Sequence, residues 1–271
     1  MPSFGTDGEV KNCGDEMNYY KYKIMPNEKM PKNIARKLEN SGGIHETRFA
    51  DKNNILENEE LQKDFGFTKL SNREYLVSMV CPMPGVTKEM IDWWFWWHPQ
   101  NKERYQLWFP GEHFDIYTAK ENNEYFSCLT MPEFQPNTQY PVEKIGGMKM
   151  PLQIDFVRPT DFGFSTGAME RSNIATIVCG HVGVAVNPTH AKEGLGVTIY
   201  HTEMAHMYFQ REDGLFLVSR FWLGHSLKSK TVAKFMLTDS TARGMAQHCC
   251  VEYRNLAKKL PIIYNEVNGK Q

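Results

Sequence analysis

Two residues near the C-terminus have the types and spacing to share one ligand. His248 and Glu252 stand four apart in a stretch patterned as a helix, so both side chains project from one side of it. An imidazole nitrogen and a carboxylate oxygen can hold the same divalent cation, zinc among them, and a catalytic zinc keeps one position for water. The same spacing also makes a plain hydrogen bond on a helix surface, worth roughly 0.2–0.5 kcal/mol. A metal site therefore needs partners from elsewhere: His98, His113, Glu143, His181, His201 and His206 are the candidates. His113 follows a Trp-Phe-Pro-Gly-Glu turn, and Glu143 lies between Pro141 and Gly146–Gly147. A glutamate there is unremarkable if it faces water, but in a cavity it needs a metal or a donor. His201 and His206 are five apart, so on a regular strand only one can face a cavity. His98 precedes Pro99 and suits the C-terminal end of a helix, where a cation is favourable.

The elements that must position these residues can be read from periodicity. The helix runs from about Asp239 to Leu260, where Pro261 stops it. Ala242, Ala246, Cys249, Tyr253, Leu256 and Leu260 form its buried stripe, flanked by His248 and Glu252; Arg243, Gln247, Arg254 and Lys258 face water. Strands are expected at 75–80, 114–117, 126–131, 142–145, 152–157, 175–186, 197–209 and 215–222, with Asp213-Gly214 as a hairpin signal. No alternating β-α-β rhythm appears, which argues against a parallel sheet. Thr87 caps a helix through Trp97, whose Met90, Trp93, Trp94 and Trp97 recur on one face. Core or subunit packing is their ordinary role; lining a cavity is the alternative. The expected fold is α+β, a helix-grip of antiparallel strands wrapped around the long helix, with a cavity between them. Residues 1–73 read as an N-terminal extension with short helices at 31–38 and 56–62, residues 74–262 as the main domain, and residues 263–271 as a tail.

Composition narrows the function classes. Lysine and arginine total 31 against 32 acidic residues, a net charge of -1, so nothing invites nucleic acid or an anionic membrane surface. No apolar run is long enough to span a bilayer, and the first residues do not read as a signal peptide. The six cysteines include no C-x-x-C pair, and they read as reduced thiols of a cytoplasmic protein. Aromatics make up 13% of the chain, enough for an aromatic-walled core or cavity. No GxGxxG, Walker or GxSxG pattern is present.

Five strings then stand in a telling order: W-F-W-W-H-P…R-Y-Q-L-W-F-P-G-E-H, E-K-I-G-G at 143–147, I-D-F-V-R-P-T-D-F-G-F at 154–164, S-R-F-W-L-G-H at 219–225, and H-x-x-x-E at 248–252. Together they resemble the diacetylphloroglucinol hydrolase / phloretin hydrolase family over roughly residues 75–260. The resemblance implies a zinc-dependent hydrolase that cleaves the bond between an acyl carbonyl and a phloroglucinol ring, built on a helix-grip fold and homodimeric. It places the metal on His113, Glu143, His248 and Glu252, with Glu133 as the alternative to Glu143. It assigns substrate contacts and proton handling to Tyr105, His181, His206 and Tyr208. Where the family's diacetylphloroglucinol enzyme is expected to carry an Asn, this chain has Phe114-Asp115-Ile116, which points to another acyl group.

An arylpropanoyl substrate such as phloretin is therefore expected ahead of diacetylphloroglucinol. Trp93, Trp94, Trp97, Phe114, Tyr208 and Phe209 are the aromatics offered for its second ring. A non-catalytic carrier of apolar aromatic ligands is the reading from another class, since fold does not fix function; a four-ligand metal site would discriminate against it.

Overall fold

The β-branched and aromatic runs pair with one another, two of their connections being two-residue turns at 146–147 and 212–213 and several longer ones carrying helices. In a computed structural model, which describes residues 19–71, 73–187, 193, 196–227 and 236–269, they form one sheet. Its strands are β1 (Gly66–Lys69), β2 (Tyr75–Pro84), β3 (His113–Thr118), β4 (Asn137–Ile145), β5 (Met148–Val157), β6 (Ile174–Ala185), β7 (Thr198–Arg211) and β8 (Gly214–Leu223). Every pairing is antiparallel, in the order β1-β2-β8-β7-β6-β5-β4-β3. The helices are α1 (Tyr20–Lys23), α2 (Lys32–Lys37), α3 (Asn54–Glu57), α4 (Glu59–Gln62), α5 (Lys88–Trp97), α6 (Lys102–Trp108), α7 (Asn123–Phe126), α8 (Thr166–Arg171) and α9 (Asp239–Asn268). Residues 1–18 of the expected extension, Cys13 included, lie outside the described residues.

Strand alternation sorts the side chains onto two faces. On the inner face Met204, Tyr208 and Phe221 join a core with Trp94 of α5 and Leu256, Leu260 and Ile263 of α9. On the outer face Ala205, Met207, Phe209 and Trp222 pack with Ile55 and Leu56 of α3 and with Phe162 and Phe164. Strands β7 and β8 are thus covered on both sides, which explains their nearly unbroken apolar runs. The protein is a mixed α and β fold, an eight-stranded antiparallel sheet with a long C-terminal helix. Among the described residues no helix is long and apolar enough to cross a membrane. Cys81, Cys128, Cys179, Cys249 and Cys250 are free thiols.

Several local expectations need correction. Helix α9 does not stop at Pro261 but continues to Asn268. An interior proline costs roughly 3 kcal/mol, and packing beyond it opposes that cost: Ile263 is fully buried and Tyr264 meets the Trp93 ring edge-on at 5.1 Å. Residues 126–131 are not a strand; Phe126 ends α7 and Leu129 is exposed. Both edges of β4 are already taken by β3 and β5, so that run has no edge of β4 to join. The expected 56–62 helix is two, because Asn58 is extended and its side chain caps α4. Arg243 and Arg254 are half-buried rather than in water, and Arg243 donates to the Leu38 carbonyl at 2.8 Å. Thr87 does cap α5, accepting from the Met90 amide at 3.4 Å.

Candidate metal centre

The site is assembled by three neighbouring elements. Strand register sets His113 directly across from Glu143 in the β3–β4 pair, with a bulge just after His113. The hairpin that follows Glu143 turns through Gly146 at φ +58° and presses on α9 at Gly244. A Cβ at Gly244 would sit 2.9 Å from the Gly146 Cα, so only a bare helix surface admits the hairpin this closely. One turn further along α9 come His248 and, another turn on, Glu252.

The four side chains converge in the interior. His113 Nε2 lies 3.4 Å from a Glu252 carboxylate oxygen. His248 Nε2 lies 3.4 Å from Glu143 and 3.8 Å from Glu252. These spacings exceed an ordinary N–H···O hydrogen bond, and both Nε2 atoms are buried without a hydrogen-bond partner. Ligand atoms of His113, His248 and Glu252 all lie within 4.8 Å of one another, the one such group among the described residues. His201 Nε2 is also unpartnered, but it belongs to no such cluster.

Electrostatics agree with this convergence. Burial pushes the Glu143 carboxyl up, but His248 and the nearby His113 pull it down to about 2. Burial opposes the proton on His248, yet Glu143 and Glu252 raise its affinity above the ordinary imidazole value. Burial, and then the Glu143 charge, hold the Tyr105 phenol far above its usual range. Tyr105 is therefore a donor, and its hydroxyl bonds to Glu143.

Tyr105 comes from α6, which Asn101 caps by accepting from the Glu103 amide at 2.7 Å. Its ring stacks on His113 at 4.2 Å and 9°, and His98 stacks on its own ring at 5.7 Å. Trp108 donates from Nε1 to the Glu252 carbonyl at 3.1 Å. Lys259 of α9 donates to the Leu107 carbonyl at 2.9 Å. Helix α6 is thus tied at two points to the helix that carries His248 and Glu252. His98 does end α5, donating to the Trp94 carbonyl at 2.7 Å, but burial drives its pKa down to about 3. The ring is neutral, so the cationic part of the capping expectation is corrected.

A cavity of about 60 Å³ opens at this cluster, with Tyr105, Glu143, His206, His248, Glu252 and Tyr253 on its wall. The structure brings Tyr105, His206 and the expected ligands His113, His248 and Glu252 together, with Glu143 beside them 3.4 Å from His248. His206 is held through Nδ1 by the Ser219 hydroxyl at 2.8 Å, and burial keeps it neutral, with its pKa near 3. The structure does not bring His181 there. Val182 faces the cavity, so its neighbour His181 points to the opposite sheet face, where Nδ1 meets Glu203 at 2.6 Å. Tyr208 is fully buried on the inner side but off the cavity wall, where Tyr253 stands instead. Glu133 is exposed and away from the cluster.

The aromatics offered for a second ring also disperse. Trp93 and Trp97 stack on each other at 4.6 Å and Trp94 is fully buried in the core. Phe209 belongs to the outer-face core. Phe114 sits at the bulge under the Lys149 ammonium. Core packing wins for all of these but Phe114, which is half-buried. Sequence reasoning missed Trp108, Ser219 and Tyr253 as site neighbours. Only the register His206↔Ser219 could have found the serine, and register is not visible in one strand. Tyr253 was visible as part of the buried stripe, one residue after Glu252.

Against known proteins, the chain is 27% identical over 229 residues to the phloretin hydrolase of Eubacterium ramulus, spanning 80% of this chain and 78% of that protein. It is 28% identical over 232 residues to the 2,4-diacetylphloroglucinol hydrolase of Pseudomonas protegens, spanning 80% and 72%. A 2,4-diacetylphloroglucinol hydrolase from a Pseudomonas species gives 28% over 232 residues, spanning 80% and 76%. Residues 47–265 match the DAPG hydrolase PhiG domain, a stretch that includes every residue of the cluster, and the chain belongs to that family.

Proposed function

We propose that the protein is a zinc-dependent hydrolase that cleaves the carbon–carbon bond between an acyl group and a phloroglucinol ring. The observation that carries the reading is the pair of buried, unpartnered imidazole nitrogens of His113 and His248 beside two carboxylates. Two imidazoles with Glu143 and Glu252 make a nitrogen–oxygen donor set that suits zinc. The metal would supply Lewis acidity and a bound water acidified towards a pKa of about 7.

The reaction consumes one water. Its hydroxyl ends on the acyl carbon and a proton ends on the ring carbon. The chain's own groups divide that work. Tyr105 fixes Glu143 by donating to it and remains a phenol throughout. His206, neutral and clamped by Ser219, is the group we assign to hydrogen bonding with the ring hydroxyls. Tyr208 supports the wall from behind, and His181 takes no part. Apolar lining such as Ile116, Leu152 and Phe221 excludes bulk water.

We infer that the favoured substrate carries an arylpropanoyl group, as phloretin does, giving phloroglucinol and an arylpropanoic acid; diacetylphloroglucinol is the second choice. We further infer a helix-grip arrangement, with α9 gripped by the sheet, a catalytic unit at 74–262 between an extension and a tail, a homodimer, and residence in the cytoplasm. Purified protein incubated with phloretin should release phloroglucinol, stop after strong chelation and recover with zinc. Full turnover after the chelator has removed all metal would overturn the metal role. No turnover of either ketone by the zinc-loaded protein would overturn the reaction.

A further inference from the structure

The cavity at the four ligands holds about 60 Å³, whereas small-molecule sites usually offer roughly 300–1,000 Å³. It has room for only part of an acylphloroglucinol. A second hollow of about 720 Å³ lies beside it, and the two share Phe95, Gln139 and Phe156 as common wall. The Phe95 and Phe156 rings stand 5.9 Å apart. Gln139 is buried and donates to Asn137 at 3.0 Å and to the Phe95 carbonyl at 3.5 Å. Three side chains therefore separate the metal cluster from a groove of ordinary ligand size.

The groove has the surface an aromatic arm needs. Trp96 and Tyr125 are buried on its wall, and the Trp96 indole is fixed by donating to the Tyr125 carbonyl at 3.0 Å. Val178 of β6 adds an aliphatic side. Exposed charges, Glu133 and Glu170 among them, stand on its lining where it meets water. Helix α5 thus uses its aromatics twice: Trp93, Trp94 and Trp97 are enclosed in the core, while Phe95 and Trp96, which also pack on that core, show a face to the groove.

We propose that this groove binds the acyl arm of the substrate and selects arms that end in an aromatic ring. The inference rests on the acylphloroglucinol reading above. The scissile carbonyl and the phloroglucinol ring occupy the metal side, and the arm passes between Phe95, Gln139 and Phe156 into the groove. An acetyl group ends before it reaches the groove and collects none of its apolar contacts, while a terminal phenyl ring collects them all. Burying one such side-chain-sized ring corresponds to about tenfold or more in kcat/KM.

The test uses the full-length, zinc-loaded enzyme and three ketones: acetyl-, butanoyl- and 3-phenylpropanoyl-phloroglucinol. In the wild type, kcat/KM should rise along the series and be at least about tenfold higher for the phenylpropanoyl ketone than for the acetyl ketone. Val178→Phe, which narrows the groove, should lower that ratio by about tenfold. Thr176→Phe, from the same strand and the same groove, is the second variant should the first not fold. A wild-type ratio at or below one overturns the proposal without any variant, as does a ratio unmoved in a folded groove-filling variant. If the wild type cleaves none of the three ketones, it is the functional reading that falls.

Discussion

The two faces of the sheet each carry a histidine beside a glutamate, and the two arrangements end in opposite states. On the outer face His181 and Glu203 meet at 2.6 Å, and Ser226 donates to the other Glu203 oxygen. That cluster is saturated, and the His181 side chain is 41% exposed. On the inner face His113 and His248 are buried with their Nε2 atoms unpaired, 3.4 Å from carboxylates. An unsatisfied buried polar atom costs roughly 1–3 kcal/mol, and two of them side by side are tolerated where something else completes them. The lesson is that neither residue type nor a lone unpartnered atom marks the site, since His201 Nε2 is unpartnered too; unpartnered nitrogens gathered with a carboxylate within reach of one ion do.

Substitutions at the two faces give the sharpest contrast. His248→Ala or Glu252→Gln should lower turnover by at least about a hundredfold, the upper end of what even an outer hydrogen-bond partner of a metal ligand costs, and should release the metal. His181→Gln should leave kcat/KM within about twofold. Elemental analysis and steady-state kinetics on both sets check this. A His181 variant as damaged as the His248 variant would erase the distinction between the faces.

A smaller loss is expected where the two elements of the inner site touch. Gly244 lies inside α9, where alanine would normally be better by about 1 kcal/mol. Here an added Cβ would meet Gly146 backbone at 2.9 Å and push the Glu143 hairpin off the helix. Gly244→Ala should reduce turnover by about tenfold and weaken zinc binding in competition with a chelating dye, even as helix propensity improves. Unchanged zinc affinity would mean that the hairpin is free to shift without moving Glu143.

Smaller again is the effect of Lys259, whose buried amine caps the end of α6 at the Leu107 carbonyl. Burial lowers its pKa to about 8. Lys259→Met keeps the volume but leaves that carbonyl unpaired, at about 1–3 kcal/mol. A lower thermal midpoint with a two- to fivefold fall in kcat is expected, because α6 carries Tyr105. A variant as stable as the wild type would show that Trp108 alone holds α6 in place.

How much of this was legible depended on whether the signal was local. Helix α9 and its His248–Glu252 pair follow from spacing within one element. The Thr87 cap and the β7–β8 hairpin at Asp213-Gly214 do too. The grouping of His113 with Glu143 came through resemblance, and the register that explains it is a pairing between strands. The true length of α9 was hidden because Pro261 is a strong local stop, whereas the burial of Ile263 is tertiary. His181 was misplaced because strand parity relative to the cavity cannot be read until one residue of β6, here Val182, is known to face it. For the Trp cluster the sequence offers both core packing and a wall for the substrate's second ring; the structure keeps Trp93, Trp94 and Trp97 in the core, and the groove aromatics Phe95 and Trp96 lie on the side of the same helix that its apolar stripe does not mark.

The smallest effect concerns pH and tests the outer face alone. Hydrogen bonding to Glu203, and then its charge, raise the His181 pKa above the ordinary imidazole value, with partial burial opposing. Its folded pKa exceeds the unfolded value of about 6.5. The stability it contributes is therefore fully present below about pH 6.5 and is lost as pH rises through the folded pKa. His201, two residues before Glu203 on β7, behaves in the opposite sense, since burial pushes its pKa down to about 4. Its contribution is intact above about pH 6.5 and is lost as pH falls towards 4, where only the unfolded chain takes up the proton. The exposure of His181 limits its pair to at most about 1 kcal/mol, or about 2–4 °C in a chain of this size. Thermal midpoints measured from pH 4 to 9 should show His181→Gln flattening the alkaline side and His201→Gln flattening the acid side. If His181→Gln altered the acid side instead, the pairing with Glu203 would not hold in solution, and the outer face would no longer stand as the saturated counterpart of the metal centre.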